Sequence, residues 1–253
     1  MLTVLARAPG PRFAEAGALD LVLARAQHAA LLELLHSLGA RVELAVEAPE
    51  ASPYSCCVGD LAVDLGELVV LGRPAHAQRH VELAWVAAVL GACRGAAAPP
   101  LIRIEAPATL EGPDVLGEED FVYVGQSPRT NHAGLKQLAI ALLAHGKLVK
   151  AVEVRRALHL SNACAPIGDG AWLVHAAQLN LSRLRGLDAI EAPAGEPQAP
   201  ALLALPGALI VPASAPRTLE ALAGRGLAVH LCDVSEFERA GVSLRSLVLP
   251  IGR

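Results

Sequence analysis

Several residues of this sequence could carry proton-transfer or cation-binding chemistry. His159 lies in the apolar run ALHLSNACA, Asp60 follows Cys-Cys-Val-Gly, and Glu111 lies in LEGPD. An imidazole can give or take a proton near neutral pH, and a buried carboxylate can hold a cation. Both kinds of residue also have structural roles, because a lone histidine in an apolar strand is often a hydrogen-bonded core residue. Asp60 could equally cap a turn after Gly59.

Two arginines occur in the same turn motif. FVYVGQSPRT (121–130) and LIVPASAPRT (209–218) both run from an apolar strand through a short turn into Pro-Arg-Thr. Arg129 and Arg217 therefore occupy equivalent positions. An arginine there can bind a carboxylate with its planar fork of donors, or it can tie loop carbonyls together.

The turn motif belongs to a longer repeat. Residues 121–154 give a strand, the turn, the helix NHAGLKQLAIALLAHG and a second strand, and 208–234 repeat this order. In both copies a glycine, Gly146 or Gly226, stands where the end of a helix favours a left-handed residue. Weaker copies of the same order occupy 2–47, 67–105 and 170–192, the last with the short LNLSRLRG as its helical part.

Five similar α/β units predict one domain over 1–253 in which the units close around an axis. Loops at equivalent strand ends would then converge on the centre, where a small polar site can form. The sequence contains no GxxxxGK[ST], GxGxxG or GxSxG motif. A doubly wound nucleotide-binding fold and a serine-hydrolase elbow are therefore disfavoured.

The composition excludes some partners. The chain is 53% hydrophobic but only 3% aromatic, and its formal net charge of −4 provides no basic surface for nucleic acid. No apolar run approaches the ~20 residues of a membrane span. Arg7 and Arg12 interrupt the start of the chain, where a signal peptide needs an apolar stretch. We therefore expect a cytoplasmic protein without nucleic-acid or membrane partners.

The cysteines show neither a disulfide framework nor a metal motif. Five of them, an odd number, predict reduced thiols in the cytosol. Cys56 and Cys57, with His76 and His80, could suggest a metal site. Adjacent residues of a strand point to opposite faces, however, so both cysteines cannot easily bind one ion. We predict no metal and no other cofactor.

Three stretches resemble a known family. LEGPD (110–114), YVGQSPRTNHAGLKQL (123–138) and LHLSNACAPIGDGAWLV (158–174) are similar to the dimethylarginine dimethylaminohydrolases, and looser similarity extends along most of the chain. This resemblance implies the five-bladed α/β-propeller (pentein) of the guanidine-modifying superfamily, with ββαβ-like repeats. It also implies hydrolysis of Nω-methylated arginine to citrulline and a methylamine. The expected partner is a small arginine-like amino acid, and a homodimer is compatible with the sequence.

The resemblance also assigns roles to individual residues. Asp60 matches the aspartate that grips the guanidinium, and Glu111 matches the acid that binds the guanidinium and helps to set the catalytic histidine. His159 matches that histidine, the proton donor to the departing amine. Arg79 and Arg129 match two arginines that bind the α-carboxylate of the substrate. For Arg79 a solvated arginine is the alternative, because it lies in the polar stretch HAQRH. For Arg217 we favour the structural role of tying loop carbonyls together.

The cysteine nucleophile of the family is missing. It follows a SEF or SEY segment, but no cysteine follows Cys232 in this chain, which reads DVSEFERAGVSLRSLVLPIGR at that point. An ungapped alignment from SEFE puts Ser246 at the nucleophile position, whereas matching GVS with two residues deleted puts Leu244 there. We favour Ser246, since Cys232 would have to leave the strand LAVHLCDV to substitute. A serine hydroxyl stays protonated and needs a general base.

Two further departures concern acidic groups. Gly59 stands where the family has a glutamate, and Tyr54 stands where it often has an aspartate. Three functions remain open on these residues. The first is a hydrolase that cleaves a C–N bond of a linear amidine, with Ser246, His159 and Glu111 as catalytic residues. The second is an inactive relative that binds arginine-like ligands, or no ligand, as a sensor or interaction protein. The third is a purely structural or scaffold role.

Overall fold

Five small sheets arranged around an axis form the protein. The computed structural model describes residues 2–45, 50–94, 100–118, 121–184, 186–223 and 225–252. Its strands are β1 (Thr3–Ala6), β2 (Arg41–Leu44), β3 (Ala62–Asp64), β4 (Val69–Leu71), β5 (Leu101–Arg103), β6 (Val115–Gly117), β7 (Phe121–Gln126), β8 (Leu148–Glu153), β9 (Cys164–Gly168), β10 (Ala171–Val174), β11 (Asp188–Glu191), β12 (Leu203–Leu205), β13 (Ala208–Pro212), β14 (Ala228–Cys232) and β15 (Val248–Ile251). The α-helices are α1 (Leu21–Ser37), α2 (Glu82–Arg94), α3 (His132–Leu143), α4 (Leu160–Ala163), α5 (Thr218–Leu222), α6 (Ser235–Arg239) and α7 (Leu244–Leu247).

Each sheet has three strands and the same internal order. The sheets are β15-β1-β2, β3-β4-β5, β6-β7-β8, β9-β10-β11 and β12-β13-β14. The middle strand pairs antiparallel with one neighbour and parallel with the other, for example β7 with β6 and β8. In the first sheet the antiparallel neighbour is β15, which comes from the far end of the chain and pairs Ile251 with Thr3. The last strand therefore closes the ring, and we call the sheets blades one to five in the order given.

Local sequence determines where the long helices begin and end. Asp20 starts α1 by accepting hydrogen bonds from the amides of Val22 and Leu23 at 2.9 and 3.0 Å. Asn131 starts α3 by accepting one from the amide of Gly134 at 2.9 Å. The predicted glycines after the helices of blades three and five, Gly146 and Gly226, both have φ of +70°. Only glycine adopts this conformation without steric strain.

The core is divided among the blades. Five buried clusters lie between sheets and helices, and they consist mainly of Leu, Val, Ile and Ala. The largest buried aromatic, Trp172, packs edge-on against Tyr123 with ring centroids 4.9 Å apart. Within the described residues, no helix is long and apolar enough to cross a membrane.

The predicted repeats are confirmed with two corrections. Blade four has a 3-10 turn, Leu181–Arg183, in place of a helix, because this connection is short and Asn180 caps it through Ser182. The run around His159 is not a strand, because Asn162 Oδ1 accepts the His159 amide at 3.1 Å and starts α4. Parts of four predicted units (46–47, 95–99, 185 and 224) lie outside the described residues.

Candidate functional site

The predicted site residues meet in one small cavity. Its volume is about 40 Å³. It is lined by Tyr54, Cys57, Asp60, His76, Arg79, Glu111, Arg129, Leu158, His159, Ala240, Gly241, Val242 and Ser246. All six residues singled out from the sequence for catalysis or binding are therefore in this wall, whatever role each one has.

Four of these residues occupy equivalent places in four blades. Asp60 ends a 3-10 turn ahead of β3, and Glu111 stands ahead of the turn that leads into β6. His159 comes before α4 and β9, and Ser246 lies in α7 just before β15. Each of those strands is the antiparallel member of its blade. Because equivalent strand ends converge on the axis of a closed ring, the repeat itself brings these side chains together.

His159 and Glu111 form a buried ion pair. His159 Nε2 lies 2.7 Å from Glu111 Oε2, and the two side chains are 4% and 3% exposed. Burial alone would lower the pKa of His159. The hydrogen bond to Glu111 and the negative charges of Asp114, Asp60 and Glu111 outweigh burial and raise that pKa to about 9. Burial alone would raise the pKa of Glu111, but the hydrogen bond from His159 leaves that pKa below its usual value. His159 is therefore an imidazolium at neutral pH.

Only one of the two carboxylate oxygens of Asp60 has a hydrogen-bond partner among the described residues. Its Oδ2 accepts a hydrogen bond from Arg79 Nη1 at 2.7 Å. Its Oδ1 is buried and has no hydrogen-bond partner among the described residues. Burial raises the pKa of Asp60, although the positive charge of Arg79 opposes the shift. An unpaired acceptor at the wall of a cavity is a natural contact for the N–H groups of a cation.

Arg79 differs most from its prediction. The sequence suggested an arginine that binds the carboxylate of the substrate, with a solvated arginine as the alternative, but the side chain is only 2% exposed. Besides Asp60, it donates to Glu82 Oε2 from Nε at 3.1 Å and from Nη2 at 2.9 Å, and to the carbonyl of Cys57 at 2.8 Å. The solvated alternative is wrong. These internal acceptors make Arg79 the group that holds Asp60 in place.

The two arginines of the repeated turn have different environments. Arg217 Nη1 donates to the carbonyl of Ala194 at 2.7 Å, which confirms its predicted structural role. The guanidinium of Arg129 lines the axial cavity and has no hydrogen-bond or ion-pair partner within the described parts of the chain. One copy of the turn thus secures a loop, while the other leaves a cation at the cavity.

Two carboxylates and one imidazole of this site could also suggest a metal centre. Ligand atoms of Asp60, Glu111 and His159 lie within 4.8 Å of one another. However, His159 Nε2 is hydrogen-bonded to Glu111 Oε2 at 2.7 Å and the pKa of the ring is raised to about 9, whereas a metal ligand must be deprotonated. Asp60 is already paired with Arg79. The arrangement suits an organic cation better than a metal.

Comparison with known proteins identifies the family. Over 245 residues the chain is 33% identical to the N(G),N(G)-dimethylarginine dimethylaminohydrolase of Streptomyces coelicolor, covering 93% of this chain and 91% of that protein. The chain belongs to the dimethylarginine dimethylaminohydrolase family. No family model matches it.

Solved structures agree with this family and with the propeller. A cysteine-to-serine mutant of the Pseudomonas aeruginosa family member, in complex with citrulline, superposes with a TM-score of 0.89 at 26% identity over 98% of both chains. The N-terminal domain of a cyanobacterial arginine dihydrolase has the same fold, with a TM-score of 0.84 at 19% identity over 99% of this chain and 98% of that one. The predicted five-bladed α/β-propeller is confirmed.

Within this dimethylargininase-family chain, the two candidates for the nucleophile position have different surroundings. Ser246 lines the axial cavity, whereas Leu244 is fully buried in the core of blade one and lies outside the cavity wall. Ser243 caps the turn, and its Oγ lies 3.3 Å from Ser246 Oγ. Cys232 is buried in the same core and is also absent from the wall.

Gly59, where the family has a glutamate, packs directly against the segment that carries Ser246. A Cβ atom at this position would collide with the carbonyl of Arg245 and would lie 2.5 Å from the carbonyl of Val248. Backbone oxygens on both sides leave no room for a side chain. The close approach of the Ser246 turn therefore requires a glycine at position 59 of this chain.

Sequence reasoning missed part of the wall. Cys57 lines the cavity and is 1% exposed, and the hydrogen bond that its thiol makes to Cys56, together with burial, raises the pKa of this thiol well above the usual value. Tyr54 and His76 stack at 5° with ring centroids 6.3 Å apart. The doubled cysteine was a visible signal, but a turn, not the assumed strand, directs both thiols inward. No sequence signal indicated the ring stack.

Proposed function

We propose that the protein hydrolyses a C–N bond of the guanidinium of an arginine-like amino acid, converting methylarginine into citrulline and a methylamine. One observation carries the proposal: unpaired groups of opposite charge face the same cavity. Asp60 Oδ1 is an acceptor without a donor, and the Arg129 guanidinium is a donor without an acceptor. A molecule with a guanidinium at one end and a carboxylate at the other satisfies both.

The acid–base chemistry follows from the charges of the site. A guanidinium is delocalised and weakly electrophilic, so its departing nitrogen must be protonated as the C–N bond breaks. His159 is already an imidazolium at neutral pH and supplies this proton. Glu111 orients the ring through Oε2 and keeps it charged. Citrulline keeps the same carboxylate, so we expect Arg129 to contact the product as well.

We assign the nucleophile to Ser246. It is the hydroxyl that lines the cavity from blade one, at the place equivalent to those of Asp60, Glu111 and His159. Arg79 then belongs to the support of the site and not to substrate binding, because its donors are used by Asp60, Glu82 and Cys57.

The serine favours a second candidate function. Hydroxyls are much weaker nucleophiles than thiolates at neutral pH, so the same cavity could bind an arginine-like ligand without turnover. Such a protein would act as a sensor, with Asp60 and Arg129 as ligand contacts and no bond cleavage.

One experiment separates the two functions. The protein is incubated with Nω-methylarginine and with arginine, citrulline is measured, and Ser246→Ala and Ser246→Cys are assayed beside it. Hydrolysis predicts citrulline from the unaltered protein and a loss of at least about 10²-fold in Ser246→Ala. Calorimetric binding of methylarginine without citrulline, together with turnover only in Ser246→Cys, would instead establish the sensor.

Two thiols serve as controls. Cys232→Ala should leave citrulline formation unchanged, because Cys232 lies in the core of blade one and not in the cavity wall. Cys57→Ala tests the thiol that does line the cavity. Citrulline formation that survives Ser246→Ala but disappears in Cys57→Ala would move the nucleophile to Cys57.

We also place the reaction in the cytoplasm and on a free amino acid. All five cysteines are free thiols, which supports a reducing compartment. The formal net charge of −4 supports a small-molecule substrate over nucleic acid. The expected homodimer stays a prediction, as does the single domain over 1–253.

A further inference from the structure

We propose that Asp60 is the general base that takes the hydroxyl proton of Ser246, in addition to contacting the guanidinium. This inference rests on the proposed hydrolysis and assigns the proton-transfer step that a serine adds to it. Its structural basis is the pairing of a buried carboxylate oxygen that has no partner with a hydroxyl in the same cavity wall.

The need for a base comes from the serine itself. A cysteine beside a guanidinium and an imidazolium is readily a thiolate and attacks without further help. A serine hydroxyl keeps its proton in the same surroundings and must transfer it as the new bond forms. The family chemistry therefore leaves one task in this chain that no assigned residue performs.

His159 is not available for this task. At neutral pH it already carries both ring protons, because Glu111 and neighbouring carboxylates raise its pKa to about 9. Its Nε2 also points to Glu111 Oε2 at 2.7 Å. An imidazolium can donate to the departing amine but cannot first accept a proton.

Glu111 is not available either. Its Oε2 is bonded to His159, its Oε1 accepts the amide of Ala75 at 3.0 Å, and its pKa is held below the usual value. A carboxylate that binds its partners this well is a weak base.

Asp60 is different on each of these points. Its Oδ1 is buried without a partner, and burial raises the pKa of Asp60 instead of lowering it. The hydroxyl of Ser246 lies near enough to favour the carboxylate form of Asp60, although it does not make a full hydrogen bond to Oδ1. The alternative acceptor for that hydroxyl is Ser243 Oγ at 3.3 Å, which is a weaker base than a carboxylate.

The charged groups around Asp60 act on its pKa in both directions, and burial leaves that pKa above its usual value. Arg79 bonds its Oδ2 and favours the charged form, His159 does the same from across the cavity, and Glu111 opposes them. Glu82 binds the other side of Arg79, with Nε and Nη2 of the arginine 3.1 and 2.9 Å from its Oε2. One oxygen of Asp60 is fixed by Arg79 while the other is free, and the raised pKa increases its affinity for a proton, as a base requires.

The steps balance in atoms and electrons. Ser246 Oγ bonds to the guanidino carbon while Asp60 Oδ1 takes its proton, and the C–N π electrons move to nitrogen. His159 protonates the departing nitrogen, the C–N bond breaks, and methylamine leaves an isouronium ester on Ser246. Neutral His159 then removes a proton from a water molecule while the water oxygen attacks the same carbon. Asp60 returns its proton to Ser246 Oγ as that C–O bond breaks, and the carbonyl proton of citrulline passes through solvent to methylamine.

A double-mutant cycle tests the base role. Asp60→Asn is made in the serine protein and in Ser246→Cys, and kcat/KM for citrulline formation is compared. Loss of guanidinium contact reduces both backgrounds alike, whereas loss of the base matters only where a hydroxyl must be deprotonated. Because general acid–base catalysis typically contributes about 10²–10⁴-fold, we expect the Asp60→Asn loss to be larger by about that factor in the serine background.

Equal losses in the two backgrounds would overturn the base role and leave Asp60 as a guanidinium contact. Glu82→Gln is the matched control, because it disturbs Arg79 from the other side and should reduce both backgrounds by the same factor. Failure of the proposed function looks different. If the proposed function fails, the unaltered serine protein forms no citrulline. If only the base role fails, the serine protein forms citrulline, and Asp60→Asn reduces kcat/KM by the same factor in the serine and cysteine backgrounds.

Discussion

Two buried histidines in this protein differ in charge at neutral pH: one is a cation and the other is neutral. His159, in the axial cavity, is 3% exposed, and the pKa of its ring is raised to about 9. His28, on α1, is 2% exposed, and burial lowers the pKa of its ring to about 4. His28 packs near Phe237 with ring centroids 6.4 Å apart, and its Nε2 has no hydrogen-bond partner among the described residues.

Burial is nearly the same for the two rings, so the neighbours decide the charge. Around His159, Glu111, Asp114 and Asp60 supply negative charge that outweighs desolvation. Around His28 only desolvation acts. A buried histidine is thus evidence of a functional site only when carboxylates from other blades meet it, and the closed ring provides that meeting.

Removing the partner of His159 should have the largest effect. We expect Glu111→Gln to lower the pKa of His159 and to reduce kcat/KM by about 10²–10⁴-fold at pH 8, the usual contribution of general acid–base catalysis. In the unaltered protein the activity should fall as the pH rises through about 9, where His159 loses its proton. In Glu111→Gln this alkaline fall should begin at lower pH. The His28 signal in a histidine NMR titration should not move, and an unchanged His159 signal would contradict the assignment.

The two histidines should also make the free energy of unfolding depend on pH, His28 on the acid side of neutrality and His159 on the alkaline side. His28 has a depressed folded pKa, so its contribution is present above the unfolded value of about 6.5 and is lost as the pH falls towards 4. At about 1.4 kcal/mol per pKa unit, this amounts to about 3 kcal/mol. His159 has a raised folded pKa, so its contribution is present below about 6.5 and is lost as the pH rises through about 9.

Denaturant unfolding at a series of pH values measures both limbs. In His28→Leu the loss of unfolding free energy between pH 6.5 and 4 should shrink by about 3 kcal/mol, since the titrating group is gone. The alkaline limb should remain as in the unaltered protein. An acid limb that does not change in His28→Leu would show that other groups cause it.

A smaller effect is expected at Gly59. Gly59→Ala places a Cβ against the carbonyls of Arg245 and Val248, so it should lower the unfolding free energy by about 1–3 kcal/mol, as overpacking does. The shift of the Ser246 turn should reduce citrulline formation as well. Gly17→Ala is the control, because among the described residues the nearest atom to a Cβ there is a Leu19 side-chain carbon at 4.0 Å. Wild-type stability and activity in Gly59→Ala would refute the close approach.

An effect of similar size, but on substrate binding and not on stability, is expected at one of the repeated turns. Arg129→Ala removes a charge-assisted contact to the substrate carboxylate, so KM should rise by about 10–100-fold, equivalent to about 1.5–3 kcal/mol. Arg217→Ala removes an exposed contact to Ala194, and KM should not change. Stability in this variant should change by about 0.5 kcal/mol or less. A similar rise in KM for both variants would place the carboxylate site elsewhere.

The repeat made the fold predictable. The strand, turn and helix around Arg129 and Arg217, with Gly146 and Gly226 after the helices, are local signals that the structure reproduces. The helix α4 was not predictable, since its start depends on Asn162 capping His159, a contact hidden inside an apolar run.

The site was predictable only in part. The gathering of Asp60, Glu111 and His159 follows from equivalent places in the blades together with the family resemblance. The burial of Arg79 depends on Glu82 and on Asp60, which is distant in sequence, and no local pattern encodes that pairing. The closeness of Gly59 to the Ser246 turn likewise exists only after β15 has joined β1.

The strand that closes the ring, β15, has a consequence for protein synthesis. Since a chain leaves the ribosome with its N-terminus first, β1 must wait for an antiparallel neighbour until residues 248–251 have emerged. Ser246 arrives with the same few residues. A nascent or shortened chain therefore lacks both its circular closure and the hydroxyl that we propose as the nucleophile.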